Sequence, residues 1–211
     1  MKLAMLEKQS VPKKLKQTVV SKKEKQGGMM RDIGLLILRL VTGGLLVGHG
    51  SQKLFGWFSG PGLKGTAGFL ESMGLKPGTP WATAAATSEF GGGMLTALGF
   101  LHPLGPMGTI ASMVMATAKA HWGKPIWAAS GGAELPVINM AAALALIFTG
   151  PGRFSLDRVF GIRLPRGLVI AVAVVEAAAL AYGILSRPET APAPTSKDKV
   201  DTAVGTGKGT R

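Results

Sequence analysis

Arg39, His49 and Lys53 recur along one apolar segment, and Glu89, Lys119, His121 and Glu134 stand in or beside three others. Imidazoles and carboxylates exchange protons near neutral pH, and clustered cations hold anions, so a convergence of these types points to proton transfer or anion binding. On a helix advancing about 100° per residue, Arg39 at 0° places Thr42 at about −60°, His49 at about −80° and Lys53 at about −40°. At about 1.5 Å per residue, His49 and Glu89 both lie roughly 13 Å inside one end of their helices, and Lys53 roughly 7 Å. Lys119 and His121 close the third apolar segment at that same end, and Glu134 opens the fourth. The expectation is a polar pocket with His49 and Glu89 as its catalytic pair and Arg39, Lys53, Lys119, His121 and Glu134 around them.

A plainer reading has Glu89 neutralise Arg39 or Lys53 and hold two helices in register. Gly44 and Gly48 have GxxxG spacing, which lets backbones approach closely. With Gly92 in the run Gly91-Gly92-Gly93, they are expected to pack helices within the monomer. Trp57, Trp81, Trp122 and Trp127 fit an interfacial belt. His102 reads as an ordinary turn residue, and Glu176, midway along the fifth apolar segment, has no evident partner in sequence. His49 and His121 could in principle ligate a b-type haem, but their different depths disfavour it. Met107, Met113 and Met115 read as packing, and the glycine-rich 59–66 loop lacks Walker spacing.

The elements that must position these groups are apolar. The 211 residues are 46% hydrophobic and only 17% charged, with a mean hydropathy of +0.30; a soluble domain usually carries about 25% charged residues. Five runs are long enough to be read as spans: 33–58, 80–101, 104–121, 133–149 and 167–185. Continuous hydrophobicity without strict alternation argues for helices rather than a barrel. The fold expected is all-α, an integral membrane bundle of four core helices (residues 32–160) plus a fifth transmembrane helix (161–186).

The net charge of +13 is concentrated at the N-terminus, where residues 1–31 hold nine Lys or Arg against Glu7 and Glu24. This segment is expected to be a disordered cytoplasmic tail near anionic lipid. It lacks the aromatics of a nucleic-acid reader and the apolar run of a signal peptide. Met29-Met30 offers an alternative translation start. Arg153, Arg158, Arg163 and Arg166 place the 150–166 loop on the cytoplasmic side as well, which four intervening spans allow. Residues 187–211 are expected to be disordered. No cysteine is present, so thiolate metal sites are excluded and redox chemistry would need a quinone, another cofactor or a partner.

The stretch Leu38-Arg39-Leu40 through Gly48-His49-Gly50-Ser51-Gln52-Lys53-Leu54-Phe55-Gly56-Trp57-Phe58, with Gly65-Thr66-Ala67-Gly68-Phe69, resembles the DoxX family of small bacterial membrane proteins. Glu89 with Gly92-Gly93, Gly132-Ala133-Glu134-Leu135-Pro136 and Thr149-Gly150-Pro151-Gly152-Arg153-Phe154-Ser155-Leu156-Asp157 extend the likeness over residues 31–160. The family's usual Gly-Tyr-Glu reads Gly132-Ala133-Glu134 here, and the basic tail and fifth span are additions. The resemblance implies a four-helix membrane core in the bacterial inner membrane. It also implies a redox setting, with quinone as cofactor, no metal, membrane lipid as surroundings and a soluble or membrane redox protein as partner. Two functions stay open. One is a subunit for quinone-linked oxidation of a small sulfur anion such as thiosulfate. The other is a non-catalytic scaffold or small-solute carrier for an oxidant-defence assembly.

Overall fold

The computed structural model describes the backbone of residues 13–186 and the side chains of residues 26–186. The helices are α1 (Lys13–Phe55), α2 (Gly62–Ser72), α3 (Gly78–Leu98), α4 (Leu104–Ala116), α5 (Glu134–Thr149), α6 (Leu156–Phe160) and α7 (Arg166–Leu185). A π-helical turn, Thr117–His121, prolongs α4, and there is no strand among the described residues. The all-α expectation is met. α1, α3, α4 and α5 correspond to the expected core, and α7 to the added helix.

Among the described residues two helices are long and apolar enough to cross a membrane: Gln26–Phe55 within α1, with a mean hydropathy of 1.7, and α7, at 2.4. α5 is apolar but spans only 16 residues. α3 has 21 residues, yet Gly, Thr, Ser and Glu89 dilute its hydropathy. α7 is apolar apart from Arg166 at its start and Glu176 at its middle, and it buries only Gly183, which suits a helix whose outer faces meet lipid.

Two connections differ from expectation. α1 begins at Lys13, so residues 13–31 are helical where a disordered tail was expected. Lys, Gln and Glu are good helix formers, and a helix nucleated in the apolar segment propagates back through them until Pro12. Residues 1–12 and the tail from 187 lie outside the described residues. The loop after α1 is short, because α2 starts at Gly62 and buries Thr66 and Ala67.

The seam between α1 and α3 organises the rest. On α1 the buried positions Asp32, Leu35, Arg39, Gly43, Leu46 and Gly50 are spaced by three and four, with Ser51 buried beside the last. On α3 the buried positions are Gly78, Ala82, Ala86, Glu89, Gly92, Gly93 and Thr96. The helices run antiparallel with backbones nearly touching: a Cβ on Gly43 would lie 2.6 Å from Gly93 O, and one on Gly50 2.4 Å from Phe90 N. α4 then joins α3 through Gly92 and Gly105, and Ser88 Oγ donates to Gly108 O at 2.9 Å.

The expected packing pair is corrected here. Gly44 and Gly48 have open space where a Cβ would go, because they project roughly 130–170° away from the centre of the Arg39–Gly43–Leu46–Gly50 stripe. Gly92 does face α4, as a packing glycine should.

Gly93→Ala would set a methyl 2.7 Å from Gly43 O and 2.8 Å from Val47 N, neither of which can yield without moving a helix. We expect it to destabilise the protein by about 1–3 kcal/mol, whereas Gly44→Ala leaves stability unchanged or raises it by up to about 1 kcal/mol. Thermal unfolding in detergent, followed by helical circular dichroism, tests this; equal losses in both variants would refute the seam.

Candidate functional site

The polar residues do not form one site. They separate into two, at opposite ends of the bundle. The end bearing Trp57, Trp122 and Trp127, all exposed, carries a cavity. The end bearing Arg31, Arg153, Arg158 and Arg163 carries a buried charge cluster.

The cavity has a volume of about 800 Å³ and lies between α2, α3, α4 and α7. Its walls are largely apolar, with Phe69, Leu70, Trp81, Leu95, Met115 and Leu180 among them. The polar groups reaching it include Lys53, Glu89, Lys119, His121 and Glu176. Glu89 is only 4% exposed and accepts a short hydrogen bond from Lys53 Nζ across the α1–α3 seam. The reading of Glu89 as the neutralising partner of Lys53 is therefore the geometry observed. Lys119 Nζ donates to Ser186 O at the end of α7, and His121 Nδ1 lies 2.7 Å from Gly131 O. α7 is held against this end by Trp81 and Tyr182, whose rings stack at 5.9 Å, and by Gly183 beneath Met115.

Three expected pocket residues stand elsewhere. His49 is exposed and does not line the cavity; it sits about 90° from the centre of the packed stripe, so sharing depth with Glu89 does not bring the two together. Glu134 braces a loop, its carboxylate accepting from Ala128 N at 2.8 Å while its own N–H donates to Ile126 O. Arg39 belongs to the opposite end. Glu176, left without a partner by the sequence, forms part of the cavity wall.

At the arginine end, Arg39 is 2% exposed. Its Nη2 donates to Phe154 O, its Nε and Nη1 have no hydrogen-bond partner, and the Asp157 carboxylate acts on its charge without forming an ion pair. Asp157 accepts from the successive amides of Leu101 and His102, both at 2.8 Å, and its own N–H donates to Gly99 O at 3.1 Å. Gly99 has φ +60°, and a Cβ there would lie 1.6 Å from Arg39 Nη1, so only glycine fits beneath the guanidinium. Asp32, 1% exposed, lies 3.5 Å from Arg31 and 3.9 Å from Arg153. Asp32, His102 and Asp157 were missed as site residues. The available signal was the unpaired Arg39, which demands a buried acid from some other element.

Residues 34–122 match the family model described as DoxX. This segment is a DoxX domain. No curated protein and no solved structure matches the chain. The DoxX domain contains α1 from Gly34, α2, α3 and α4, hence the Lys53–Glu89 pair and most of the cavity. Asp157 and the α7 wall of the cavity lie beyond it. The DoxX match covers less than half of the chain. Among its described residues no group of three or more His, Asp or Glu is placed to hold a metal ion.

Asp157→Asn would leave the buried Arg39 charge uncompensated. We expect a loss of about 3–5 kcal/mol, and a smaller total loss for Arg39→Met with Asp157→Asn than the sum of the two single changes, read by unfolding in detergent. A second expectation concerns His102. Burial lowers its imidazole below the ordinary 6.5, and the Asp157 carboxylate only partly offsets this. The folded state then binds fewer protons than the unfolded chain, so stability should fall as pH drops from about 7.5 to 5.5, and His102→Asn should flatten that slope.

Proposed function

We propose that this protein is a multi-pass inner-membrane subunit of a redox system, with its arginine end cytoplasmic, and that the cavity between α2, α3, α4 and α7 takes a quinone headgroup. The observation that carries this reading is the pairing of a roughly 800 Å³ apolar cavity with a half-buried ion pair at its wall, whose carboxylate, Glu89, is buried. Amphipathic ring ligands are commonly held by apolar walls and a few convergent polar groups, and the residues present fit that description. The exposed apolar faces of α1 and α7 support the membrane setting, and the arginines of the 150–166 loop support the orientation.

In this reading Trp81, Leu95 and Leu180 exclude water from the ring, and Lys53 Nζ, oriented by Glu89, donates a hydrogen bond to a carbonyl oxygen. Lys119, at the mouth beside His121, supplies positive charge for a small anion. Quinone supplies a two-electron, two-proton acceptor for oxidation of a sulfur anion such as thiosulfate. Glu89, His121 and Glu176 are the carboxylates and imidazole that line the cavity and can hold or pass the protons. His49 is outside this scheme because of its exposure.

The test is quinone reduction by membranes containing the chain, with thiosulfate as donor. Replacing both members of the pair, Lys53→Met with Glu89→Gln, avoids stranding a buried charge and is expected to lower the rate at least tenfold. Leu180→Trp, which fills the cavity from α7, should act in the same direction, and His49→Ala should leave the rate within twofold. If wild-type membranes do not exceed empty ones and crosslinking captures a soluble redox protein, the scaffold reading replaces this one.

A further inference from the structure

The arginine end holds a second cavity, of about 710 Å³, that the proposed function does not use. Its walls come from the start of the apolar part of α1, the α3–α4 turn, the end of α5, and α6 with the segment leading into α7. Four guanidinium groups line it, those of Arg31, Arg153, Arg158 and Arg163, against one carboxylate, Asp157. That carboxylate is already committed, since both of its oxygens accept backbone N–H groups and its charge is set against Arg39. Arg31 and Arg153 share Asp32. The guanidiniums of Arg158 and Arg163 have no ion pair and no hydrogen bond among the described residues. A concave surface with two uncommitted, forked donors and excess positive charge is matched to a phosphate group, whose oxygens accept in pairs from arginine.

The surroundings indicate where such a group resides. The cavity is level with the change from polar to apolar sequence on both flanking helices, at Arg31 before Ile33 and at Arg166 before Leu168. Beside it Val159 and Phe160 are 71% and 66% exposed, and Phe154 and Met30 are exposed as well. Basic side chains interleaved with exposed apolar ones at a helix boundary are the arrangement met by a phosphate with acyl chains beneath it. We propose that the cavity between α1, α5 and α6 is a binding site for a phosphate-bearing anion, with Arg158 and Arg163 as its principal contacts.

The full chain in neutral detergent, examined by native mass spectrometry, tests this against phosphatidylglycerol, phosphatidylcholine of the same acyl chains, and inorganic phosphate. Phosphatidylglycerol is expected to bind at least fivefold more tightly than phosphatidylcholine. Arg158→Gln with Arg163→Gln should bring that ratio close to one, and Lys64→Gln with Lys124→Gln, at the tryptophan end, should leave it unchanged. Displacement of the lipid by inorganic phosphate at comparable concentration identifies a soluble phosphate as the ligand; resistance to displacement identifies the lipid headgroup. Equal binding of the two lipids to the wild-type chain, with no binding of inorganic phosphate, overturns the proposal. So does an undiminished preference in the Arg158/Arg163 variant. Both arginines are exposed and unpartnered, so their replacement removes no fold contact; helical circular dichroism verifies this, and the wild-type lipid comparison decides independently of any variant.

Discussion

A permanently charged guanidinium buried within a helical bundle is the constraint on which the arginine end of this protein depends. Removing an arginine from water costs several kcal/mol even after the surroundings relax, so Arg39 must be met by opposite charge and by acceptors. Asp157 supplies the charge and Phe154 the carbonyl, and both come from a segment more than a hundred residues away. Reaching them fixes the α5–α6 connection against α1. Because Asp157 also ties the amides of Leu101 and His102, it fixes the α3–α4 turn too. Gly99 completes the arrangement, since its left-handed backbone and missing side chain give the guanidinium its place. One charge thereby locks two connections against α1.

The tryptophan end follows a different logic. There the helices meet through glycines and alanines, and the α1–α3 seam is so tight that it leaves no room for further side chains. Space is left instead on the far side of α3, where α2, α4 and α7 do not close completely. α7 touches the bundle chiefly through α4, and its contacts gather at its last turns, at Tyr182, Gly183 and Ser186. A wall anchored mainly at one end can admit an amphipathic molecule from the lipid without disturbing the seam, which keeps the charged lock and the cavity mechanically separate.

Much of this could be read from the sequence, and the failures share a cause. Hydropathy located the apolar parts of the long helices but not the polar first half of α1, which continues the helix without an apolar run. The Lys53–Glu89 pair was accessible as a charge-neutralising alternative, although depth along the two helices favoured His49 as the partner. His49 was misplaced because a helical wheel gives angles but not the width of the face that packs: Arg39 to Gly50 defines a stripe narrower than the polar arc, and His49 falls at its margin. The same narrowness sends Gly44 and Gly48 to the open side while Gly43 and Gly50, one and two positions away, make the close contacts. Asp157 was hidden for another reason. Its partner Arg39 is distant in sequence, and nothing local in Ser155-Leu156-Asp157-Arg158 distinguishes a buried counter-ion from a helix-capping acid.

The two charge arrangements also differ in what they account for. Arg39 and Asp157 together hold two connections, and that architectural role is sufficient explanation. Lys53 with Glu89 joins two helices that already meet through Gly43, Gly50 and Gly93. Buried pairs of this kind are often no more stable than apolar residues of the same volume, so helix packing alone gives little reason for charges at that point. What distinguishes the position is the cavity beside it: Lys53 and Glu89 are lining residues, with a charge-assisted donor and a carboxylate facing an apolar chamber. The proposed ligand, with ring carbonyls and an apolar body, would use both features at once.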